Sequence, residues 1–301
     1  MKSAPEHLKK NLLHLENVYK SYGPKQVLDN VDMSVKAGEL CTVVGPSGCG
    51  KSTLLRIIVG QERTTHGDVL IDGRSVGFSN PDRGIVFQRY SLYPHLTALE
   101  NVALSHRLKY GILGFRTHKK AAFEEAMHFL EKVRLAEHAH KYPHELSGGM
   151  QQRVAIAQTL VKRPKIVLMD EPFGALDPTT RELAQLFLLE LWEEMKMTVF
   201  FVTHDLEEAV FLGTRILALS QFYLDDRGNG PEVNRGAKFV CDLQLPRVAL
   251  STDVKKTKGF TDVVSQIREV GFDPKGLRHV REFNLKHPDS FQTLTPNEAG
   301  N

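Results

Sequence analysis

The sequence feature that most constrains the fold is the stretch from Gly45 to Thr53, which reads GPSGCGKST. It fits the pattern Gly-x-x-x-x-Gly-Lys-Ser/Thr, whose glycines let several backbone N–H groups converge on one anion. An apolar run, LCTVV, comes directly before it, and a helix-forming stretch, STLLRIIVG, overlaps its end. This order predicts a buried strand, a phosphate-binding loop and a helix whose N-terminal dipole points at the phosphates.

Each residue of this loop is a candidate for nucleotide binding. The Lys51 ammonium can reach the β- and γ-phosphates, and the Ser52 hydroxyl can ligate Mg²⁺. The alternative is an ordinary glycine-rich turn, which the flanking strand and helix make the weaker interpretation. The candidates are Gly45, Pro46, Ser47, Gly48, Cys49, Gly50, Lys51, Ser52 and Thr53.

A second apolar strand ends in two acidic residues. The segment KIVLMDEP runs from Lys165 to Pro172, and a strand that is apolar throughout fits a parallel sheet covered on both faces. Asp170 can hold the water shell of Mg²⁺, and Glu171 can polarise an attacking water. The alternative is a strand that ends in solvated charges. It is the weaker interpretation because the same chain also carries the phosphate-loop residue Lys51.

Further motifs follow a fixed order along the chain. They are VYKSYG with Tyr22, VFQRYSLYPHLT with Gln88, LSGGMQQR from Leu146 to Arg153, PFGALD with Asp177, and VTHD with His204. With the phosphate-binding loop and the acidic pair, they make residues from about 13 to 220 resemble the ATP-binding subunit of an ABC transporter. The signature LSGGMQQR departs slightly from the usual form, because Met150 stands where glutamine is common.

The resemblance implies a fold class and a set of site residues. The fold is the α/β, P-loop NTPase fold of the ABC ATPases, with an antiparallel β-subdomain and an inserted helical subdomain. Glu171 and His204 would be catalytic, and Tyr22 would offer its ring face to adenine unless it is a core aromatic. Further nucleotide contacts are implied for Gln88, Ser147, Gly148, Gly149 and Asp177, and Mg²⁺ contacts for Ser52, Gln88 and Asp170.

The resemblance also implies how such a chain works. Two copies would sandwich two ATP molecules, each held by Lys51 and Ser52 of one copy and by residues 147–149 of the other. Closure would pull on separate membrane permease subunits, and hydrolysis would reopen the pair. An extracytoplasmic solute-binding protein would deliver the substrate. The chain itself would lie peripherally at the cytoplasmic side of the inner membrane.

The segment around Gln88 narrows the resemblance to one branch of importers. NPDRGIVFQ resembles the branch that imports nitrate, sulfonates, taurine and related nitrogen or sulfur compounds. The residues after it are candidates for a groove that receives a permease helix, although packing within the subdomain is the alternative. These candidates are Tyr90, Leu92, Tyr93 and Pro94. Two other functions stay open: a soluble non-transport ABC ATPase, and a non-hydrolysing scaffold.

Composition agrees with a nucleotide-binding subunit. A length of 301 residues fits one large α/β domain with a tail, and a net charge of +3 does not demand a nucleic-acid partner. The three cysteines suggest neither a metal site nor a disulfide framework. Because no apolar run reaches the roughly 20 residues that span a bilayer, we expect the membrane-spanning parts on other chains.

The motif positions set the expected organisation. Residues 1–12 form a polar lead-in, and residues 13–220 form the ATPase domain, with the helical subdomain at about 89–162. Residues 221–272 supply a strand and a helix, and residues 273–301 form an appended tail rich in proline. From its composition we expect this tail to bury little and to add little to the free energy of folding.

Overall fold

The structure is a computed structural model that describes residues 6, 10–88, 91–228, 233–245, 251–295 and 298, with the backbone alone for residues 107–116. The chain forms two compact units, one of Met1–Ser79 with Lys196–Asn301 and one of Asn80–Met195. The second unit extends beyond the expected helical subdomain at both ends. The domain boundaries drawn from the sequence therefore stay predictions.

Strands and helices are interspersed along the described residues. In order they are β1 (Leu13–Tyr22), β2 (Lys25–Val35), β3 (Leu40–Val44), α1 (Lys51–Val59), β4 (His66–Ile71), β5 (Arg74–Ser75), β6 (Arg83–Val86), α2 (Ala98–Lys132), α3 (Gly148–Leu160), β7 (Ile166–Asp170), α4 (Pro178–Met195), β8 (Thr198–Val202), α5 (Leu206–Leu212), β9 (Arg215–Ser220), β10 (Lys238–Gln244), α6 (Lys258–Phe272) and β11 (Asn284–Leu285).

An antiparallel sheet in the first unit has the strand order β2-β1-β4-β5. Leu13, Leu15 and Val18 of β1 are fully buried, so this strand carries the apolar face of the sheet. The sheet is the antiparallel β-subdomain that the sequence predicts, and that prediction is confirmed.

A second group of strands in the same unit is largely parallel. Strand β3 pairs in parallel with both β8 and β9, and β10 pairs antiparallel with β9. Every residue of β3, β8 and β9 is buried, as expected for apolar strands whose two faces are both covered. Helix α6 packs against β9, β10 and α5.

The second unit combines two parallel strands, β6 and β7, with the α-helices α2, α3 and α4. Helix α2 begins at a capping box, in which the Thr97 hydroxyl accepts the Glu100 N–H and the Glu100 carboxylate accepts the Thr97 N–H. On this helix Leu130 is fully buried and Phe123 is half-buried, and Val133, the residue after its last turn, is fully buried.

The described part of the C-terminal segment packs into the first unit, so the expectation that it buries little is wrong. Strand β11 pairs in parallel with β10. Val280, Thr293 and Glu298 are 0%, 3% and 4% exposed. The composition does not reveal this burial, because the buried residues of the segment are mostly polar. Their partners lie more than 40 residues away in the sequence.

Three contacts show how this segment is held. The Thr293 N–H donates to the Asp32 carboxylate at 2.5 Å, and the Asn30 amide donates to the Thr293 carbonyl at 2.5 Å. The Phe291 ring stacks on His14 with centroids 5.2 Å apart. These contacts tie the segment to β1 and β2 and thereby to the β-subdomain.

A buried ion pair makes the stability of this arrangement testable. The Lys238 ammonium lies 2.7 Å from the Glu298 carboxylate, and both side chains are at most 5% exposed. Glu298→Ala leaves the ammonium buried without its counter-charge, so we expect a loss of about 3–5 kcal/mol in the free energy of unfolding. Urea denaturation of the full chain measures this change in the free energy of unfolding. The double variant Lys238→Met/Glu298→Leu removes both charges and should lose much less; an equal loss in the two variants would contradict the argument.

Candidate functional site

The glycine-rich loop begins where β3 ends, and its first glycine has no room for a side chain. A Cβ atom on Gly45 would lie 2.1 Å from the carbonyl oxygen of Leu219 in β9. Gly50 has φ 107° and precedes the first residue of α1, and a Cβ there would lie 2.9 Å from Val27. The close approach and the positive φ explain why glycine occupies both positions.

The loop and the start of α1 have the charge and the helix N-terminus that an anion site requires. The Lys51 side chain is 8% exposed, and its ammonium donates to the carbonyls of Gly45 at 2.7 Å and Pro46 at 3.0 Å. Residues 50–54, all of them described, include no acidic side chain and no side-chain cap for the helix. The first backbone N–H groups of α1 and the Lys51 charge can therefore act on a phosphate.

Cys49 lies inside this loop but is chemically shielded. Its side chain is buried, and burial raises the pKa of the thiol while the Lys51 charge offsets only part of the effect. A thiol with a raised pKa carries little thiolate near neutral pH. Cys49 therefore contributes packing and backbone to the loop rather than a reactive sulfur.

Tyr22 lies at the end of β1 and is 45% exposed, which excludes the interpretation as a core aromatic. Its hydroxyl donates to the Glu62 carboxylate, and the Lys20 ammonium lies 4.8 Å from the ring centroid. An exposed ring with a restrained hydroxyl can offer a face to a planar ligand.

His204 is exposed directly after β8. The Thr203 N–H donates to the Val43 carbonyl at 3.1 Å, which fixes the end of β8 beside the end of β3. The Asp205 carboxylate then caps α5 by accepting the N–H groups of Glu207 and Glu208. Because parallel strands end at the same edge, His204 lies at the edge where the phosphate-binding loop begins.

The second unit brings Gln88 together with the acidic pair. Strands β6 and β7 are parallel, with Val86 opposite Met169, so Gln88, just after β6, and Asp170, the last residue of β7, lie at neighbouring strand ends. A Cβ atom on Gly174 would lie 3.1 Å from the Gln88 amide nitrogen. The Gln88 side chain therefore lies against the turn that follows β7.

Glu171 occupies a backbone conformation that L-residues rarely adopt. Its φ is 46°, in the left-handed region, and its carbonyl accepts the Gly174 N–H at 3.1 Å in a tight turn. Such a conformation costs about 1–2 kcal/mol and persists where the surrounding structure enforces it. Because of this turn, the direction of the Glu171 side chain is not set by the alternation of side chains along β7.

The signature motif forms the N-terminus of α3. Ser147 is the N-cap and its hydroxyl accepts the Met150 N–H at 3.3 Å, while the Gln151 amide donates to the Leu146 carbonyl at 3.1 Å. Ser147 and Gly148 are exposed, and Gly149 is half-buried. The start of this helix therefore presents backbone N–H groups and a hydroxyl at the surface.

The segment around Asp177 packs against the signature motif. The Asp177 carboxylate accepts the Thr180 N–H at 3.1 Å, and hydrogen bonds from Thr180 lower the pKa of that carboxyl group. A Cβ atom on Gly149 would lie 2.8 Å from the Thr180 methyl group, and one on Gly148 would lie 3.4 Å from Leu176. The sequence analysis missed these contacts, and a larger residue at position 149 would require the Thr180 side chain to shift.

The site residues fall into two sets. The first unit holds the loop 45–53, Tyr22 and His204, and the second unit holds Gln88, the pair 170–171, residues 147–149 and Asp177. Their roles stay predictions. Of the predicted groove residues, Tyr90 lies outside the described residues. The contact of Thr180 with Asp177 could have been read from the helix-start pattern Asp-Pro-Thr-Thr.

One cluster outside the motifs has the composition of a metal site. Ligand-type atoms of Glu39, His287 and Asp289 lie within 4.8 Å of one another. However, the Lys36 ammonium lies 2.7 Å from Asp289, and the Arg215 guanidinium lies 3.5 Å from Glu39. Because both carboxylates already face cations, we assign the cluster to the packing of the C-terminal segment.

Comparison with known proteins identifies the family. The model of the ABC transporter family matches residues 28–174. The chain is 41% identical to a nitrate import ATP-binding protein of Synechococcus elongatus, over 78% of this chain and 83% of the relative. It is 43% identical to an aliphatic sulfonates import ATP-binding protein of Bacillus anthracis, over 67% and 77% of the two chains. The chain belongs to the ABC transporter ATP-binding family.

A solved structure confirms the fold class. A dimeric ATP-binding cassette in a post-hydrolysis state with ADP and phosphate is 36% identical, with a TM-score of 0.60 over 78% of this chain and all of the other. The predicted α/β fold of an ABC ATPase is thus confirmed, and the protein is an ATPase. Among the described residues, no helix has the length and hydropathy needed to cross a bilayer.

Proposed function

We propose that this chain is the ATP-hydrolysing subunit of an ABC importer for a small solute, namely nitrate, a sulfonate, taurine or a related nitrogen or sulfur compound. The observation that carries the proposal is the phosphate-binding loop at the carboxyl end of β3, with Lys51 directed at its carbonyls. The names of the two import relatives support the solute class.

ATP and Mg²⁺ fit the residues present. The loop packs so closely on β9 that a Cβ atom at Gly45 would lie 2.1 Å from the Leu219 carbonyl oxygen, and its glycines let backbone N–H groups converge on a phosphate. Ser52, Gln88 and Asp170 offer a hydroxyl, an amide and a carboxylate oxygen, which are the hard ligands that Mg²⁺ prefers. Bound there, Mg²⁺ would neutralise charge on the β- and γ-phosphates.

Hydrolysis needs a base and a group that orients water. Glu171 is held in its turn by the Gly174 N–H and can accept the proton of the attacking water. The exposed His204 can hydrogen-bond the γ-phosphate and the same water. Tyr22 stacks on adenine without reading its edge, so selectivity among bases should be loose.

We propose that the signature motif binds the nucleotide that another copy of the chain holds. Ser147, Gly148 and Gly149 present a helix N-terminus at the surface, which is suited to a γ-phosphate. We infer an ATP-sandwich dimer in which each nucleotide contacts both copies. The dimeric state of the related cassette supports this arrangement.

Permease subunits complete the proposed importer. Tyr93 is 47% exposed, Pro94 is exposed and Leu92 is half-buried, as a docking groove for a permease helix requires. The chain would then lie peripherally at the cytoplasmic side of the inner membrane, and a solute-binding protein would act from the other side.

An assembly experiment tests the importer function against a soluble ATPase. The chain, co-expressed with a nitrate- or sulfonate-class permease from the same source, should copurify with it. In proteoliposomes, its ATPase rate should rise when the binding protein is loaded with nitrate or taurine. An ATPase rate that ignores both permease and loaded binding protein would favour the non-transport alternative.

The role of Glu171 is tested by Glu171→Gln, which keeps size and polarity but removes the base. Loss of a general base costs about 10²–10⁴ in rate, so phosphate release should fall by that factor. ATP binding should persist, and a dimer should accumulate with ATP on gel filtration. Turnover near that of the wild type would remove Glu171 from this role.

The composite site is tested by Ser147→Arg, which places a bulky cation at the exposed start of α3. ATP binding by the monomer should be unchanged, whereas ATP-driven dimerisation should be lost. The control Ser147→Ala measures the cap alone, which is worth about 1 kcal/mol of stability. Mixed with Lys51→Ala, the Arg variant can rebuild at most one of two sites. Weaker ATP binding by the Ser147→Arg monomer would show that Ser147 acts within its own chain.

A further inference from the structure

A side-chain network outside the recognised motifs connects the exposed ring of Tyr22 to the phosphate-binding loop. The Tyr22 hydroxyl donates to one oxygen of the Glu62 carboxylate. The other oxygen lies 2.6 Å from the Arg56 guanidinium. Arg56 also donates to the Thr53 hydroxyl at 3.3 Å, and Thr53 is the last residue of the loop motif.

The backbone of Glu62 is fixed to the same helix. The N–H groups of Gln61 and Glu62 donate to the carbonyl of Arg56, at 2.8 Å and 3.2 Å, where α1 ends at Gly60. The carboxylate therefore stands at a set distance from the helix that begins at Lys51. Both the backbone and the carboxylate of Glu62 contact Arg56 of α1. The Glu62 side chain therefore stays with α1 when the turn between β1 and β2 moves.

Lys20 completes the arrangement from the strand side. Its ammonium lies 3.4 Å from Glu62, donates to the Arg63 carbonyl at 2.9 Å and lies over the Tyr22 ring. Burial alone would raise the pKa of Glu62, but the Tyr22 hydrogen bond and the Arg56 and Lys20 charges outweigh it and lower that pKa. Glu62 is thus an ionised acceptor at neutral pH, and Lys20 covers one face of the ring.

We propose that Glu62 is a positioning residue for nucleotide binding: it anchors the Tyr22 ring to α1, so that the base and the triphosphate bind at a fixed separation. The base stacks on the ring face opposite Lys20. This inference rests on the proposed function, which assigns Tyr22 to adenine. A ring that is ordered before the ligand arrives loses less conformational freedom on binding, which increases affinity.

The inference separates the binding of the base from the binding of the phosphates. Inorganic tripolyphosphate has no base, so its affinity should not depend on Glu62. Base–aromatic stacking can contribute roughly 5- to 150-fold in affinity, and a misplaced ring should lose part of that. For Glu62→Ala we expect ATP to bind about 3- to 10-fold more weakly than to the wild type, as part of that contribution. Tripolyphosphate should bind within about twofold of the wild type.

The experiment measures the affinities of the full chain for ATP and tripolyphosphate by isothermal titration calorimetry, with melting temperatures alongside. Glu62→Gln keeps an acceptor for the Tyr22 hydroxyl and should restore part of the ATP affinity. Tyr22→Phe removes only the hydroxyl and should resemble Glu62→Ala, and the double variant should be less than additive. Glu269→Ala is the matched control, because it removes another Glu–Arg pair of the first unit, with Arg278 at 3.0 Å.

The outcomes distinguish this inference from the proposed function. If Tyr22→Ala weakens ATP binding but Glu62→Ala and Tyr22→Phe do not, the ring needs no anchor and the positioning role is overturned. Equal weakening for ATP and tripolyphosphate in Glu62→Ala would also overturn it, because Glu62 would then act through the loop. If Tyr22→Ala leaves ATP affinity unchanged, the assignment of Tyr22 to adenine fails, and with it the need for positioning.

Discussion

The structure of the first unit depends on the burial of β3 along its whole length between β8 and β9. Parallel pairing places the ends of the three strands at one edge, and the Leu219 carbonyl of β9 leaves no space for a side chain at Gly45. The chain must therefore leave β3 through a tight glycine loop, and His204 must emerge beside it. The position of the site follows from strand packing before any ligand is considered.

A buried guanidinium stabilises the same unit from the opposite end of these strands. Arg215, at the start of β9, donates to both oxygens of Asp242 at 2.8 Å and 2.6 Å and to the Ser34 carbonyl at 2.5 Å. This one side chain thereby links β9 of the parallel strands to β10 and to β2 of the β-subdomain. The Ser290 hydroxyl adds a fourth element by donating to Asp242. Removing one partner of a buried ion pair leaves the other charge unpaired, which lowers the free energy of unfolding far more than replacing both partners by apolar residues.

Sequence patterns predicted the features that depend on neighbouring residues. The loop at 45–53, the strand before it, the helix after it and the acidic end of β7 each have a local signal, and the structure contains them. The C-terminal segment has no such signal, because Thr293 meets Asp32, and Glu298 meets Lys238, across long separations in sequence. Buried polar groups in matched pairs look like solvated residues when each is considered alone, so composition underestimates the burial of this segment.

The start of α3 shows how one residue can serve stability within its chain and binding outside it. The Ser147 oxygen accepts the Met150 N–H, which satisfies a helix donor, while a hydroxyl that accepts one bond still has its own hydrogen to donate. Gly148 and Gly149 add N–H groups without side chains, and a Cβ atom on Gly149 would force the Thr180 methyl group, 2.8 Å away, to shift. Capping the helix and presenting donors to an anion are therefore compatible requirements. The segment from Ser147 to Met150 meets the needs of folding and, in the proposed dimer, of the second copy's nucleotide.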